Sequence, residues 1–191
     1  MKTYIKREEA RNLLKKYLKD PKLLDHCRES EVVLEAIAKE LGEDAETWAL
    51  AGLLHDIDLE VINHDFTKHG LQALDILKEE GYELPEISKA IACHAENLGY
   101  TTYKRESKLD YALAAGENAT GLIYAYALMR PNKNLDGANA KSLTKKFKDR
   151  HFAASVDRGL INDIEKIGLD RKHFFEIALE AMKSISDEIG L

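Results

Sequence analysis

The sequence predicts an all-α fold, and three of its features lead to this prediction. Helix-forming Ala, Leu, Glu and Lys are abundant, whereas the 191 residues include only three prolines and eleven glycines. Apolar side chains recur at steps of three and four residues, which is the spacing of one helix face. A hydrophobic content of 45% is enough for a substantial core. We expect one domain, with a helical bundle over about residues 20–130 and C-terminal helices over 131–191 packed on it.

Turn residues divide this chain into successive helices. Asp20 and Pro21 separate a charged N-terminal helix, residues 7–19, from a second helix at 21–41 that Gly42 ends. A third helix opens at residues 43–44 and carries His55 one turn beyond Gly52. Further helices are predicted at 66–80, 85–98, 109–129, 152–167 and 171–189. The long polar connection at 99–107 is predicted to act as a flap over a pocket.

The charge and the cysteine content narrow the class of protein. A formal charge of −6 argues against a nucleic-acid-binding or anionic-membrane surface and favours a small-molecule ligand. No apolar run reaches the roughly 20 residues that span a bilayer, and the N-terminal residues have no signal-peptide core. Two cysteines, Cys27 and Cys93, suit free thiols in a reducing compartment. We expect a cytoplasmic protein, and formation of a homodimer is left open.

A histidine and an aspartate follow directly on a tryptophan-led apolar run. The run is Trp48 to Leu54, and His55 and Asp56 come next. A buried, ionised aspartate without a partner costs several kcal/mol or more, so Asp56 must have a cation or hydrogen-bond donors near it. Imidazole beside carboxylate indicates either a metal site or an acid/base pair.

Other polar residues fall on the apolar faces of separate predicted helices. They are His26, His55, His69, His94 and Glu117. A single histidine on such a face is usually a hydrogen-bonded core residue. Four of them together with two carboxylates match the ligands of Zn, Mn, Fe, Co or Ni, as one or two ions. Adjacent residues of a helix point about 100° apart, so a metal at His55 and Asp56 needs further ligands from other helices.

The order of these residues resembles the HD superfamily of metal-dependent phosphohydrolases, and within it the bacterial stand-alone HDIG-type domains. The resemblance covers roughly residues 20–130, and its most specific parts are "GLLHDID" and the block that begins "KHG" and ends "PEISKAIACHA". It implies that His26, His55 and Asp56 bind a first metal. It also implies that the last ligand lies at Glu117, where the family has an aspartate.

The resemblance leaves two arrangements open for the remaining histidines. In subfamilies with two metals, His69 and His94 would bind the second ion and Asp56 would bridge both. With one metal, these histidines would instead bind the substrate phosphate. Asp58 is interpreted as a residue at the helix end or one that orients a ligand.

The function that the resemblance implies is hydrolysis of a phosphomonoester or phosphoanhydride bond in a nucleotide or related small phosphorylated metabolite. A metal-bound water would attack phosphorus. His55, Asp56 and His94 are the predicted catalytic residues. The alternative is a degenerate HD module that binds a nucleotide or partner protein without turnover, because Glu117 departs from the family pattern. A purely structural bundle is a third possibility.

A basic segment at residues 141–150 has two interpretations. It is a solvated helix face, or it is a rim that attracts phosphate through Lys145, Lys146 and Arg150. Arg158 has the same two interpretations. The remaining histidines, His64, His151 and His173, are predicted to be surface groups.

Overall fold

A computed structural model of the chain, which describes residues 1–63 and 65–191, confirms the all-α prediction. Among these residues there is no strand, only an isolated bridge between Lys2 and Tyr82. The α-helices are α1 (Arg7–Tyr17), α2 (Pro21–Leu41), α3 (Ala45–Leu54), α4 (Leu71–Glu79), α5 (Pro85–His94), α6 (Lys108–Leu128), α7 (Ala140–Lys148), α8 (Arg158–Asn162), α9 (Arg171–Lys183) and α10 (Ser186–Ile189). Short 3-10 helices cover Ala95–Leu98 and Asp163–Ile167.

Local capping explains where the first helices begin and end. The Asp20 side chain accepts a hydrogen bond from the Lys22 amide at the start of α2, and Pro21 occupies the first helical position. Gly42 ends α2 in the left-handed conformation, with φ 68°. Asp44 caps α3 by accepting from two backbone amides of its first turn. The predicted boundary between α2 and α3 is therefore correct.

Helix α3 lies in the centre of the bundle. Every residue from Trp48 to Leu54 is buried, so the helix is apolar on all sides and packs against α1, α2, α5 and α6. Gly52 allows α2 to come close, since a Cβ atom there would lie 2.5 Å from the carbonyl oxygen of Ser30. The C-terminal helix α9 packs on α2 and α6, and its Phe174 and Phe175 are fully buried.

The N-terminal helix ends at Tyr17, slightly before its predicted end, and four other predicted helices differ more from their bounds in the structure. The helix predicted at 66–80 begins only at Leu71, because Gly70 has φ 78° and the residues before it form turns. The helix predicted at 85–98 changes to a 3-10 helix after His94. The helix predicted at 152–167 starts at Arg158, and the one at 171–189 is interrupted after Lys183.

Helical periodicity in the sequence predicts that Phe66, Leu98 and Leu128 lie on inward helix faces, but these side chains are partly exposed. Phe66, Leu98 and Leu128 expose 47%, 43% and 45% of their surface. The first two lie outside regular α-helix, so the helical period that assigned them inward does not apply there. In the described part of the chain, no helix combines the length and the apolar content that a bilayer span requires.

Candidate metal centre

Six side chains from separate parts of the fold meet in the interior of the bundle. His26 lies on α2, His55 and Asp56 follow the end of α3, His69 precedes α4, His94 ends α5, and Glu117 lies on α6. Their potential ligand atoms form two groups, and within each group all atoms lie within 4.8 Å of one another. The groups are His26, His55 and Glu117, and Asp56, His69 and His94.

Asp56 lies between the two pairs of imidazoles. Its Oδ2 atom is 3.3 Å from the Nε2 atom of His55 and 3.6 Å from that of His26. Its Oδ1 atom is 3.4 Å from the Nε2 atom of His69 and 3.7 Å from that of His94. Each carboxylate oxygen thus faces one imidazole pair. Asp56 belongs to the second group of ligand atoms but also adjoins the first.

Backbone carbonyl groups orient two of the imidazoles. The Nδ1 atom of His55 donates to the carbonyl oxygen of Gly52, at 2.8 Å, and that of His94 donates to the carbonyl oxygen of Ile91. A carbonyl oxygen can only accept, so each Nδ1 carries a proton. The Nε2 atoms of these rings are left to face Asp56.

The other two imidazoles are oriented by side chains. The Nδ1 atom of His69 donates to Asp58 Oδ1 at 2.9 Å. The Nδ1 atom of His26 lies 3.1 Å from the Thr120 hydroxyl oxygen. That hydroxyl donates to the carbonyl oxygen of Glu117, at 2.7 Å, so its oxygen accepts from His26. All four rings are therefore held with the Nε2 atom directed at the centre.

Asp58 also binds backbone amides at the start of α4, in addition to orienting His69. It is fully buried, and its Oδ2 atom accepts from the backbone amides of Gly70, at 2.7 Å, and Ala73, at 3.2 Å. The same carboxylate therefore fixes the start of α4 and the imidazole that precedes it. A carboxylate behind a ligating histidine is a common arrangement at protein metal sites.

The arrangement of nitrogen atoms fits a cation. The Nε2 atoms of His26 and His55 are 3.2 Å apart, and those of His69 and His94 are 2.9 Å apart. With the Nδ1 atoms protonated, these contacts bring two lone pairs together, which is repulsive unless a proton or a metal ion lies between them. Imidazole nitrogen with carboxylate oxygen is a donor set for Mn, Fe, Co, Ni or Zn. The residues present therefore fit one or two divalent transition metals.

The charges of the cluster follow from burial and from Asp56. Burial opposes ionisation of Asp56, but the adjacent His55 outweighs it and holds the pKa of Asp56 well below its usual range. Burial lowers the pKa of His55, and the Asp56 carboxylate overcomes this and raises it to about 9. Burial lowers the pKa of His26 to about 4. Without metal, a proton on His55 thus supplies the charge that Asp56 needs, and a metal ion would displace it.

Glu117 lies with His26 and His55, on a helix face that is otherwise apolar. Burial raises the pKa of its carboxyl to about 8, with a contribution from Asp56 that also raises it. The Asn118 amide donates to Glu117 Oε1. The resemblance implies a metal ligand at this residue, whereas a carboxyl with a raised pKa is a weaker ligand than one that is ionised at neutral pH.

A cleft of 430 Å³ leads to this cluster. It is lined by Asp56, Leu59, Phe66, His69, His94, Ala95, Asn97, Leu98, Glu117, Asn118, Ser155, Asp157 and Leu160. The segment between α7 and α8 therefore contributes to the wall, which the sequence did not indicate. None of the residues 99–107 lines it, so the predicted flap does not cover this cleft.

The predicted phosphate-binding lysines and arginine do not line the cleft. Lys145 lies in a different groove, between α7 and α9, and the Lys146 ammonium lies 5.3 Å from the centre of the Phe152 ring. Arg150 is exposed and lines neither cavity. Arg158 lies neither on a solvated helix face nor on a rim that could bind phosphate. Its guanidinium donates to backbone carbonyl groups, among them that of Val156 at 2.8 Å.

The remaining histidines and the cysteines are placed as follows. His151 and His173 are exposed, as predicted, and His64 lies outside the described residues. Cys27 and Cys93 are buried free thiols, in agreement with the expected free-thiol state. Burial raises the pKa of both thiols, to about 11 for Cys93, so neither is a reactive thiolate.

Comparison with known families identifies this arrangement. Comparisons with curated proteins and with solved structures give no match. The family model of the HD domain matches residues 23–128, which is more than half of the chain and includes all six members of the cluster. The chain therefore belongs to the HD domain family.

Proposed function

We propose that this protein is a metal-dependent phosphohydrolase that cleaves a phosphomonoester or phosphoanhydride bond in a nucleotide or related small phosphorylated metabolite. The observation that carries the proposal is the position of Asp56 between two imidazole pairs, with all four Nε2 atoms directed inward. Membership of the HD domain family, whose members are generally metal-binding hydrolases, supports it.

The proposed ligands form two sets, which follow the two groups of ligand atoms. His26, His55 and Glu117 would hold one ion, His69 and His94 the other, and Asp56 would bridge both. When bound, such ions supply Lewis-acid activation of water and neutralise phosphate charge.

The protein's own residues orient the proposed metal ligands and provide a proton donor. The hydrogen bonds from Nδ1 hold each ring in one tautomer, so the ligands need little rearrangement to bind. His94 forms part of the cleft wall. If only the first ion binds, the Nε2 atom of His94 or His69 is free to take up a proton, and the resulting imidazolium would orient the substrate phosphate or protonate the leaving group.

A second candidate function is that of a module that binds a nucleotide or partner protein without turnover. The observation that favours it is the raised pKa of Glu117, about 8, which leaves this carboxyl protonated at neutral pH unless a cation is bound. A protonated carboxyl is a poor metal ligand.

The test is to purify the protein, determine bound metal by elemental analysis, and screen phosphorylated metabolites with Mn, Fe, Co, Ni and Zn. We expect at least one ion per chain and release of phosphate. Asp56→Asn should abolish both metal retention and turnover. Asp65→Asn is the matched control, because Asp65 is a loop aspartate outside both groups of ligand atoms. Substoichiometric metal under every loading condition, together with no released phosphate, would refute the proposal.

A further inference from the structure

The cleft that leads to the metal cluster is acidic. Its described lining contains three carboxylates, those of Asp56, Glu117 and Asp157, and neither a lysine nor an arginine. Proteins that bind several phosphate groups usually offer lysine or arginine side chains to them. The described lining therefore offers no lysine or arginine side chain to a phosphate group.

Two arginines adjoin lining residues of the cleft, Arg105 through its hydrogen bond to Asn97 and Arg158 as the neighbour of Asp157 in the sequence, and both are bonded to other groups. Arg105 donates to the carbonyl oxygen of Cys93, at 3.2 Å, and to Asn97 Oδ1, and only 7% of its side chain is exposed. The Arg158 guanidinium is bound to backbone carbonyl groups between residues 147 and 156. Neither can turn to a ligand without breaking several hydrogen bonds.

The rim of the cleft is held in place by its own polar contacts. The Asn97 amide donates to Asp157 Oδ2, at 3.2 Å, and the Asp157 amide donates to Asn118 Oδ1, at 3.0 Å. The other oxygen of Asp157 caps α8 through the amides of Gly159 and Leu160. Asp157 is therefore a fixed negative charge, exposed at the mouth of the cleft.

A comparison of charges limits the number of phosphate groups that the substrate can carry. Two divalent ions would bring about four positive charges, against the three carboxylates of the lining and the buried Asp58 carboxylate behind His69, so little net positive charge remains for the substrate. A phosphomonoester carries about two negative charges near neutral pH and a nucleoside triphosphate about four. The additional phosphate groups of the triphosphate would extend toward the rim, where Asp157 repels them.

We propose that the substrate carries a single phosphate group on an uncharged organic part, which the polar rim of Asn97, Ser155 and Asp157 and the apolar side chains of Leu98 and Leu160 accommodate. Hydroxyl or amine groups of this organic part donate to Asp157. Polyphosphates with the same organic part are rejected. This inference rests on the proposed function, because it names the substrate class of that site.

The test compares adenosine 5′-monophosphate, diphosphate and triphosphate with the metal-loaded protein. Steady-state kinetics gives kcat/KM for each, and calorimetry with non-hydrolysable phosphonate analogues gives Kd. We expect the monophosphate to be favoured over the triphosphate by at least roughly tenfold in both measurements. Equal or tighter binding of the triphosphate analogue would overturn the inference.

A pair of variants assigns the effect to the rim. Asp157→Asn removes the negative charge but keeps an acceptor oxygen for the α8 cap, and it should raise the triphosphate-to-monophosphate ratio several-fold. Asp170→Asn is the matched control, because Asp170 caps α9 in the same way but does not line the cleft. An unchanged ratio in Asp157→Asn would contradict the inference. If none of the nucleotides is hydrolysed, calorimetry still decides whether the cleft rejects polyphosphates, and the separate screen of phosphorylated metabolites decides the proposed function.

Discussion

The Nε2 atoms of His69 and His94 lie 2.9 Å apart, and the Nδ1 atom of each ring already donates a hydrogen bond elsewhere. His69 donates to the Asp58 carboxylate and His94 to the carbonyl oxygen of Ile91. Neither ring has a remaining proton for the contact between them. The two imidazoles are therefore preorganised for a cation, and the Asp58 carboxylate fixes the orientation of His69.

Metal should stabilise the folded protein. At a metal concentration about 100 times Kd, we expect the free energy of unfolding to increase by about 2.7 kcal/mol, and a chelator should reverse this. His55→Ala should remove most of the increase, as followed by the melting temperature with and without Mn or Co. His151→Ala is the control, because His151 is exposed and its ring has no bonded partner in the described structure. An equal increase in both variants would contradict a metal at the cluster.

Asp58→Asn should weaken metal binding, although Asp58 is not itself a proposed metal ligand and acts only through His69. An amide has one acceptor oxygen, so either His69 or the amides of Gly70 and Ala73 lose their partner. We expect metal affinity to fall roughly 10–100-fold, measured by competition with a chromophoric chelator. Asp44→Asn is the matched control, since Asp44 caps α3 through the same kind of contacts but bonds no histidine. Unchanged affinity in Asp58→Asn would show that this carboxylate only caps α4.

Substitution of Glu117 should separate the two proposed functions. If Glu117 is a ligand, Glu117→Gln lowers metal affinity by about tenfold or more, because a neutral amide replaces a carboxylate. The control is Glu29→Gln, a buried glutamate outside both groups of ligand atoms. Activity that appears only in Glu117→Asp would instead favour the binding module. Elemental analysis and phosphate release are the two measurements.

Gly52→Ala should destabilise the fold. A Cβ atom would lie 2.5 Å from the carbonyl oxygen of Ser30, so α2 and α3 must move apart. We expect a loss of about 1–3 kcal/mol in urea unfolding. Gly121→Ala on α6 is the matched control, because its Cβ atom would meet only Val156, at 3.5 Å, and alanine favours the helix by about 0.5–1 kcal/mol. Equal destabilisation by both substitutions would show that the close approach of α2 does not matter.

Glu29 should make stability depend on pH. Burial, reinforced by Asp25, raises the pKa of Glu29 from 4.5 to about 8. Between these values the folded protein binds more protons than the unfolded chain, so stability falls as the pH rises. Glu29→Gln should remove on the order of 1 kcal/mol per pH unit of this slope. Urea unfolding from about pH 5 to about pH 8 measures it, with exposed Glu83→Gln as the control. Parallel curves for Glu29→Gln and the parent would contradict the prediction.

The sequence predicted most helices because their signals are local. Asp20, Pro21 and Gly42 mark boundaries by backbone chemistry that needs no distant partner. The predicted start of the helix at residue 66 was wrong, because the true start of α4, after Gly70, depends on a contact that is not local. The start of α4 depends on the buried Asp58 carboxylate, which comes from a preceding turn and accepts the amides of Gly70 and Ala73.

The basic segment shows the limit of charge patterns. Its lysines are compatible with a solvated face, which the sequence favours, and with a phosphate rim, and only packing decides where they lie. The cleft wall instead includes Ser155 and Asp157, from a segment with no motif. Thr120 likewise gave no signal in the sequence, because its role depends on His26, which lies on a different helix.

The sequence by itself determined the all-α fold, the six candidate ligands and the family resemblance, since helical periodicity and residue order are properties of the chain alone. The tertiary structure decided how these ligands meet. It set the Nδ1 protons through Gly52, Asp58, Ile91 and Thr120, placed each oxygen of Asp56 against one imidazole pair, and left the cleft without lysine or arginine in its described lining. These properties depend on atom-to-atom distances of about 3 Å, and packing, not the order of residues, fixes those that join different helices.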